Sequence, residues 1–185
     1  MKKVIVYLAE GFEEVEAMVP VDMLKRAEVE VTTVSITDEK AVRGAHGNVF
    51  VADKTVSEVE AEEYDGVFLP GGMPGALNLS QSMAVNLRII KMASEGKLVS
   101  AICASPSVVL ANAGLLENRK ATVFPGCEGY SKKTDWSQDS VVVDGNIITG
   151  KAAGAAFEMA FAMIAWLSNE KTAEKVRTGV YYHCI

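Results

Sequence analysis

Residues 98–110, LVSAICASPSVVL, decide the architecture of this chain. Leu98, Val99 and Ile102 mark a short apolar strand. Ser105-Pro106 opens a helical pattern, since Ser suits an N-cap and Pro the first helical position. Cys103 falls between strand and helix, on the kind of turn that presents the nucleophile in serine hydrolases. Orphan backbone N–H groups and the positive end of a helix dipole at such a turn favour a thiolate. The competing reading of the same cysteine is a small buried hydrophobe.

The strand-then-helix pattern continues on both sides of this segment. Near-continuous apolar runs at Lys3–Ala9 (KVIVYLA) and Tyr64–Leu69 (YDGVFL) predict strands buried on both faces of a parallel sheet. The β-branched run to Ile36 (EVTTVSI, from Glu30) predicts a third. Helices are expected over Glu13–Arg26, Met83–Glu95 (stopped by Gly96), Ala153–Ser168 and Lys171–Thr178. Short strands are expected at Val42, at Val49–Val51 and over Ala121–Phe124, with a hairpin around Asp144-Gly145-Asn146. The pattern is that of one doubly wound α/β domain spanning residues 1–185, with an added β-hairpin.

Composition excludes several functions. With 49% hydrophobic and 23% charged residues, the chain reads as an ordinary globular protein with no apolar run long enough for a membrane span. The N-terminal apolar run is short and ends in acids, so it reads as a first strand rather than a signal peptide, and a cytoplasmic location is expected. Three cysteines without paired spacing fit a reducing compartment. A net charge of −6 and the absence of any lysine-arginine stripe weigh against nucleic acid. Two histidines argue against a zinc or other metal site. The Pro70–Gly75 loop is neither a GxGxxG fingerprint nor a phosphate loop with its lysine, so no cofactor is expected.

Open parallel sheets bring the C-terminal ends of their central strands to one crevice. Glu13 to Glu16, Gly71-Gly72 and Cys103 all sit at such ends. Glu16 is the candidate proton partner of Cys103, with its pKa raised so that it stays protonated. The N–H groups of Gly72 and Ala104 are candidate oxyanion donors. Glu14 reads as a helix acid complementing the dipole. His46, in a glycine-flanked loop, and His183 read as solvated or dimer-contact residues, although a Cys-His peptidase would require one of them to fold back. Cys127 is either structural or a resolving thiol near the crevice.

Residues 8–27 (LAEGFEEVEAMVPVDMLKRA), 64–79 (YDGVFLPGGMPGALNL) and 101–116 (AICASPSVVLANAGLL) together resemble the ThiJ/PfpI superfamily, in its parkinsonism-associated deglycase branch. The resemblance extends to VVVDGNIITG and the FEMAFAMIAWL helix. It implies a flavodoxin-like, mostly parallel sheet similar to class I glutamine amidotransferase domains, and a homodimer. It also implies an easily oxidised cysteine at Cys103 on a strained elbow, a protonated glutamate at Glu16, and an anion pocket bordered by the amides of Gly72 and Ala104. Glu13 would support a basic residue across the site. Three departures stand out: Phe124 replaces a usual histidine, His46 a usual arginine beside Glu13, and Lys151-Ala152-Ala153-Gly154 a usual RGPG.

The implied activity is a glutathione-independent glyoxalase or deglycase acting on a small aldehyde or glycated substrate, for example methylglyoxal to lactate. The alternatives are a non-enzymatic redox sensor or chaperone using a cysteine sulfinate, and a cysteine peptidase.

Overall fold

The computed structural model describes residues 1–183; Cys184 and Ile185, including the unassigned role of Cys184, lie outside the described residues. The chain alternates strand and helix as its apolar pattern dictates. Its first half runs β1 (Lys3–Leu8), α1 (Glu14–Arg26), β2 (Glu30–Ser35), β3 (Ala41–Arg43), β4 (Val49–Val51), β5 (Lys54–Thr55), β6 (Gly66–Leu69), α2 (Gly75–Gln81) and α3 (Met83–Ser94). The second half runs β7 (Leu98–Ile102), a π-helix (Pro106–Ala111), β8 (Lys120–Ala121), β9 (Asp135–Trp136), β10 (Val141–Asp144), β11 (Ile147–Gly150), α4 (Ala156–Leu167) and α5 (Glu170–Gly179).

Seven strands form one sheet in the order β10-β11-β7-β6-β1-β2-β5. Every pairing is parallel except β10 with β11, the expected hairpin. Alternation along β1 divides the interior into two layers. Val4, Val6 and Leu8 join the core with α1, α4 and α5, while Ile5, Tyr7 and Ala9 join the core with α3. From β1 the chain proceeds outward through β2, and it returns on the opposite side of β1 as β6. The crevice outside the carboxyl ends of β1 and β6 is therefore the topological switch point, where such sheets place their ligands.

One local expectation is corrected and another is met in part. The strand expected over Ala121–Phe124 stops at Ala121, because the following backbone donors are taken elsewhere: Thr122 N–H by the Thr149 hydroxyl and Phe124 N–H by the carbonyl of Cys103. Ser105 stands at the N-cap position of the π-helix with Pro106 in its first turn, as expected, but its side chain makes no capping hydrogen bond. It has helical dihedrals, and its buried hydroxyl donates to the carbonyl of Pro70 at 2.6 Å, tying the β7 turn to the β6 loop. Helix α2 has no strong signal in GALNLSQ, whose Gly, Asn and Ser are weak helix formers.

Candidate active site

Three turns meet in the crevice. After β1, Glu13 caps α1 by accepting from Glu16 N–H at 2.7 Å, and its own N–H donates to Gly71 O at 3.0 Å. That pair of bonds fixes the first turn of α1 against the Pro70–Pro74 loop. It also directs the Glu16 side chain, only 1% exposed, beneath the loop, where Glu16 Oε2 accepts from Gly71 N–H at 3.0 Å. Gly71 has no room for a side chain. A Cβ there would lie 2.5 Å from Cys103 Cβ and 2.6 Å from Glu16 Oε2. Gly72 has φ +86°, and a Cβ would fall 2.5 Å from Glu13 N.

Cys103 follows β7 with φ +64°, a left-handed conformation that costs a side-chain-bearing residue about 1–2 kcal/mol. The surroundings hold it from both ends. Its N–H donates to Gly150 O and its carbonyl accepts from Phe124 N–H, each at 2.9 Å. The thiol hydrogen-bonds to Glu16 and receives the backbone N–H groups of Gly72 and Ala104.

Burial raises the pKa of Glu16 to about 7 against the pull of the Cys103, Gly71 and Ala153 hydrogen bonds, as the sequence reading expected. The thiol departs from expectation. Burial and then the charge of Glu16 push Cys103 up to about 12, opposed by the Gly72 and Ala104 amides, so the helix terminus does not dominate. Glu16 raises the pKa of the thiol, whereas the thiol's hydrogen bond lowers that of Glu16, whose rise comes from burial and from the charge of Glu13. Glu16 loses its proton near about 7 and Cys103 near about 12, so between those values the pair holds one proton, seated mainly on sulfur.

The remaining candidates divide. Phe124 is at the site through its N–H on the Cys103 carbonyl, with the residue 45% exposed. Cys127 packs beside Ala76, Ala104 and Val108, on the crevice side of the π-helix. His46 is directed to Glu14 rather than Glu13: its Nδ1 is 2.7 Å from Glu14 Oε2 and 3.8 Å from Glu13 Oε1. Glu14 is accordingly more than a dipole acid. Buried and accepting from His46 N–H and Asn48 as well, it is held down to about 2 by these bonds despite the opposing effect of burial. The carboxyl fits only because residue 44 is glycine, where a Cβ would lie 2.5 Å from it. Neither His46 nor His183 hydrogen-bonds Cys103 among the described residues, so the Cys-His peptidase arrangement is absent.

The residue that sequence reasoning missed is Ala153, whose N–H donates to Glu16. Its only signal was its place in the departed Lys151–Gly154 segment. Glu13, Glu14 and His46 bring three ligand-type atoms within 4.8 Å of one another, but Glu14 and His46 are already committed to each other. No helix among the described residues is long and apolar enough to cross a membrane.

Comparison with known proteins points the same way. Residues 2–166 match the model of the DJ-1/PfpI family. The chain is 33% identical over 180 residues to the Parkinson disease protein 7 homolog of Danio rerio, covering 95% of each chain. It is 36% identical over 152 residues to a protein named deglycase from Pyrococcus horikoshii, covering 80% of this chain and 89% of that one. The solved structure of oxidized Toxoplasma gondii DJ-1 superposes with a TM-score of 0.96 at 37% identity, covering 100% of both chains. The chain spans 40% and 45% of the length of the two Arabidopsis thaliana DJ-1 homologs, B and A, that it matches.

Proposed function

This chain belongs to the DJ-1/PfpI family, and from that premise we propose that it is a cysteine-dependent enzyme acting on small 2-oxoaldehydes or their adducts, of glyoxalase or deglycase type. The observation that carries the proposal is the buried Glu16 carboxyl held beside Cys103 across Gly71, with the cysteine on a left-handed strand-to-helix turn.

Above its pKa of about 7 the Glu16 carboxylate takes the Cys103 thiol proton as the sulfur attacks the aldehyde carbon C1 of methylglyoxal. A C–S bond forms, the carbonyl pair moves to oxygen, and that oxygen takes the proton of Glu16 to give a hemithioacetal. The Glu16 carboxylate then removes the C1 proton and returns it to C2. As the C1 hydroxyl proton passes to the C2 oxygen, C1 becomes a thioester carbonyl and C2 a carbinol, an internal redox exchange needing no external oxidant or reductant. Water cleaves the thioester, releasing lactate and the free thiol. The Gly72 and Ala104 N–H groups stabilise the oxyanions formed at each addition. With Phe124 in place of a histidine, Glu16 is the proton shuttle placed against Cys103 among the described residues.

The test is lactate formation from methylglyoxal by wild type, Cys103→Ser and Glu16→Gln. Both variants are expected to lose activity by about 100-fold or more. Wild-type activity in Cys103→Ser sinks the proposal.

A redox-sensing reading rests on the same donors, because a Cys103 sulfinate would accept from the two amides and from protonated Glu16. Mass spectrometry after mild peroxide decides it: Cys103 must oxidise before Cys127 and Cys184. A homodimer in the cytoplasm accompanies either reading. Exposed Val15 on α1 and Val49 and Val51 on β4 form a candidate apolar contact, tested by molar mass in solution.

A further inference from the structure

On the face of the sheet opposite α1 and Glu16, a cavity of about 480 Å³ opens between α3 and the Val56–Val59 turn. That volume lies in the range of small-molecule sites. Val56, Met83 and Leu87 supply most of its apolar wall, and its polar groups come from Tyr7 and Arg88 and from Ser57, Glu60 and Lys91.

Tyr7 lines the cavity although it is only 1% exposed. The Arg88 guanidinium lies beside the phenol and lowers its pKa, and the hydroxyl proton has no acceptor among the described residues. Burial raises the phenol pKa above its ordinary value, so the proton remains in place at neutral pH.

Arg88 is the second element. Its guanidinium stacks over Tyr64 at 5.6 Å and donates to the carbonyls of Glu62 at 2.6 Å and Val59 at 2.8 Å. Among the described residues, no carboxylate forms an ion pair with it. The nearby Glu62 carboxylate is occupied by Lys54 and by the Tyr64 hydroxyl. A half-buried cation satisfied only by neutral carbonyls leaves a positive charge beside the cavity without a counter-ion. At the rim, Lys91 pairs with Glu63 and Glu95, and the exposed Glu60 carboxylate forms no ion pair with Arg88 among the described residues. The first residue of α3, Met83, adds the positive end of a 12-residue helix to the same rim.

We propose that this cavity is a second binding site, separate from Cys103, for an apolar monocarboxylate. The carboxylate accepts the Tyr7 hydroxyl proton and neutralises Arg88, and the hydrocarbon or aryl body lies against Val56, Met83 and Leu87. One unpaired cation selects a monoanion. The apolar walls select a ligand larger than acetate.

The experiment is calorimetric titration of the full chain with octanoate and, separately, with 1-octanol. Octanoate is expected to saturate one site at least about tenfold more tightly than the alcohol, the value of roughly one charge-assisted hydrogen bond. Tyr7→Phe should weaken octanoate severalfold. Leu87→Glu places a carboxylate at a 63% exposed position, where the fold tolerates it, and should abolish octanoate binding while leaving thermal stability and Cys103 alkylation unchanged. Equal affinity for octanoate and octanol, wild-type octanoate affinity in Leu87→Glu, or no saturable binding to wild type each overturns the proposal.

Discussion

Replacing Glu16 with Gln should make the folded protein more stable at alkaline pH and leave it nearly unchanged at acidic pH. Glu16 is 1% exposed, and its pKa moves from 4.5 to about 7, with burial the largest cause. Through that interval the folded state holds a proton that the unfolded state has released. Stability must therefore fall as pH rises from the unfolded to the folded pKa. At 1.36 kcal/mol per pH unit, the loss is about 3 kcal/mol and is complete a little above the folded pKa. Glutamine has no charge to bury. Its carbonyl can still accept from Gly71 N–H, and its amide can donate to the Cys103 sulfur. Urea unfolding of both proteins between about pH 5 and about pH 8 gives the comparison. The two should nearly coincide at the acid end, with the variant ahead by about 3 kcal/mol at the alkaline end. A gap that does not change with pH would refute the reasoning, as would a variant less stable than wild type at about pH 8.

Gly71→Ala should cost about 2–4 kcal/mol in urea unfolding and slow Cys103 alkylation, since the new Cβ overlaps Cys103, Glu16 and the Ile102 carbonyl. Ser105→Ala should cost about 1–3 kcal/mol, because it strands the Pro70 carbonyl in a buried position. NMR titration should find His46 above its ordinary pKa through its hydrogen bond to Glu14 and the charge of that carboxylate, and Glu14→Gln should bring it back.

Much of this fold was legible because apolar runs of strand length alternate with helix-length periodicity, and β1, β7 and the β10–β11 hairpin follow that pattern closely. The crevice was legible for the same reason: Gly71-Gly72 and Cys103 follow strand ends directly, and Glu16 lies in the first turn of the helix after β1. The misreadings arose where tertiary partners outweigh local preference. Ser105 stands at the N-cap position its signal predicts, but its hydroxyl is turned to donate to the Pro70 carbonyl and makes no capping bond. Glu14 is indistinguishable from Glu13 in a run of acids. Only the return of the β3–β4 hairpin, with glycine at residue 44, brings His46 and Asn48 onto it. Ala153 acts through its backbone, which a side-chain reading does not register. The thiol pKa was misjudged because a helix-terminus argument omits the desolvation and the carboxylate that the fold brings to the sulfur.

The most direct test of the shared-proton account is the pH dependence of Cys103 alkylation by iodoacetamide, followed by mass spectrometry in wild type and Glu16→Gln. The account predicts a wild-type rate that rises through an inflection near about 7, where the pair loses its first proton, and then levels off. The inflection should be missing from Glu16→Gln. A wild-type rate that climbs about tenfold per pH unit up to about pH 9 without an inflection, matched by the variant, would contradict it.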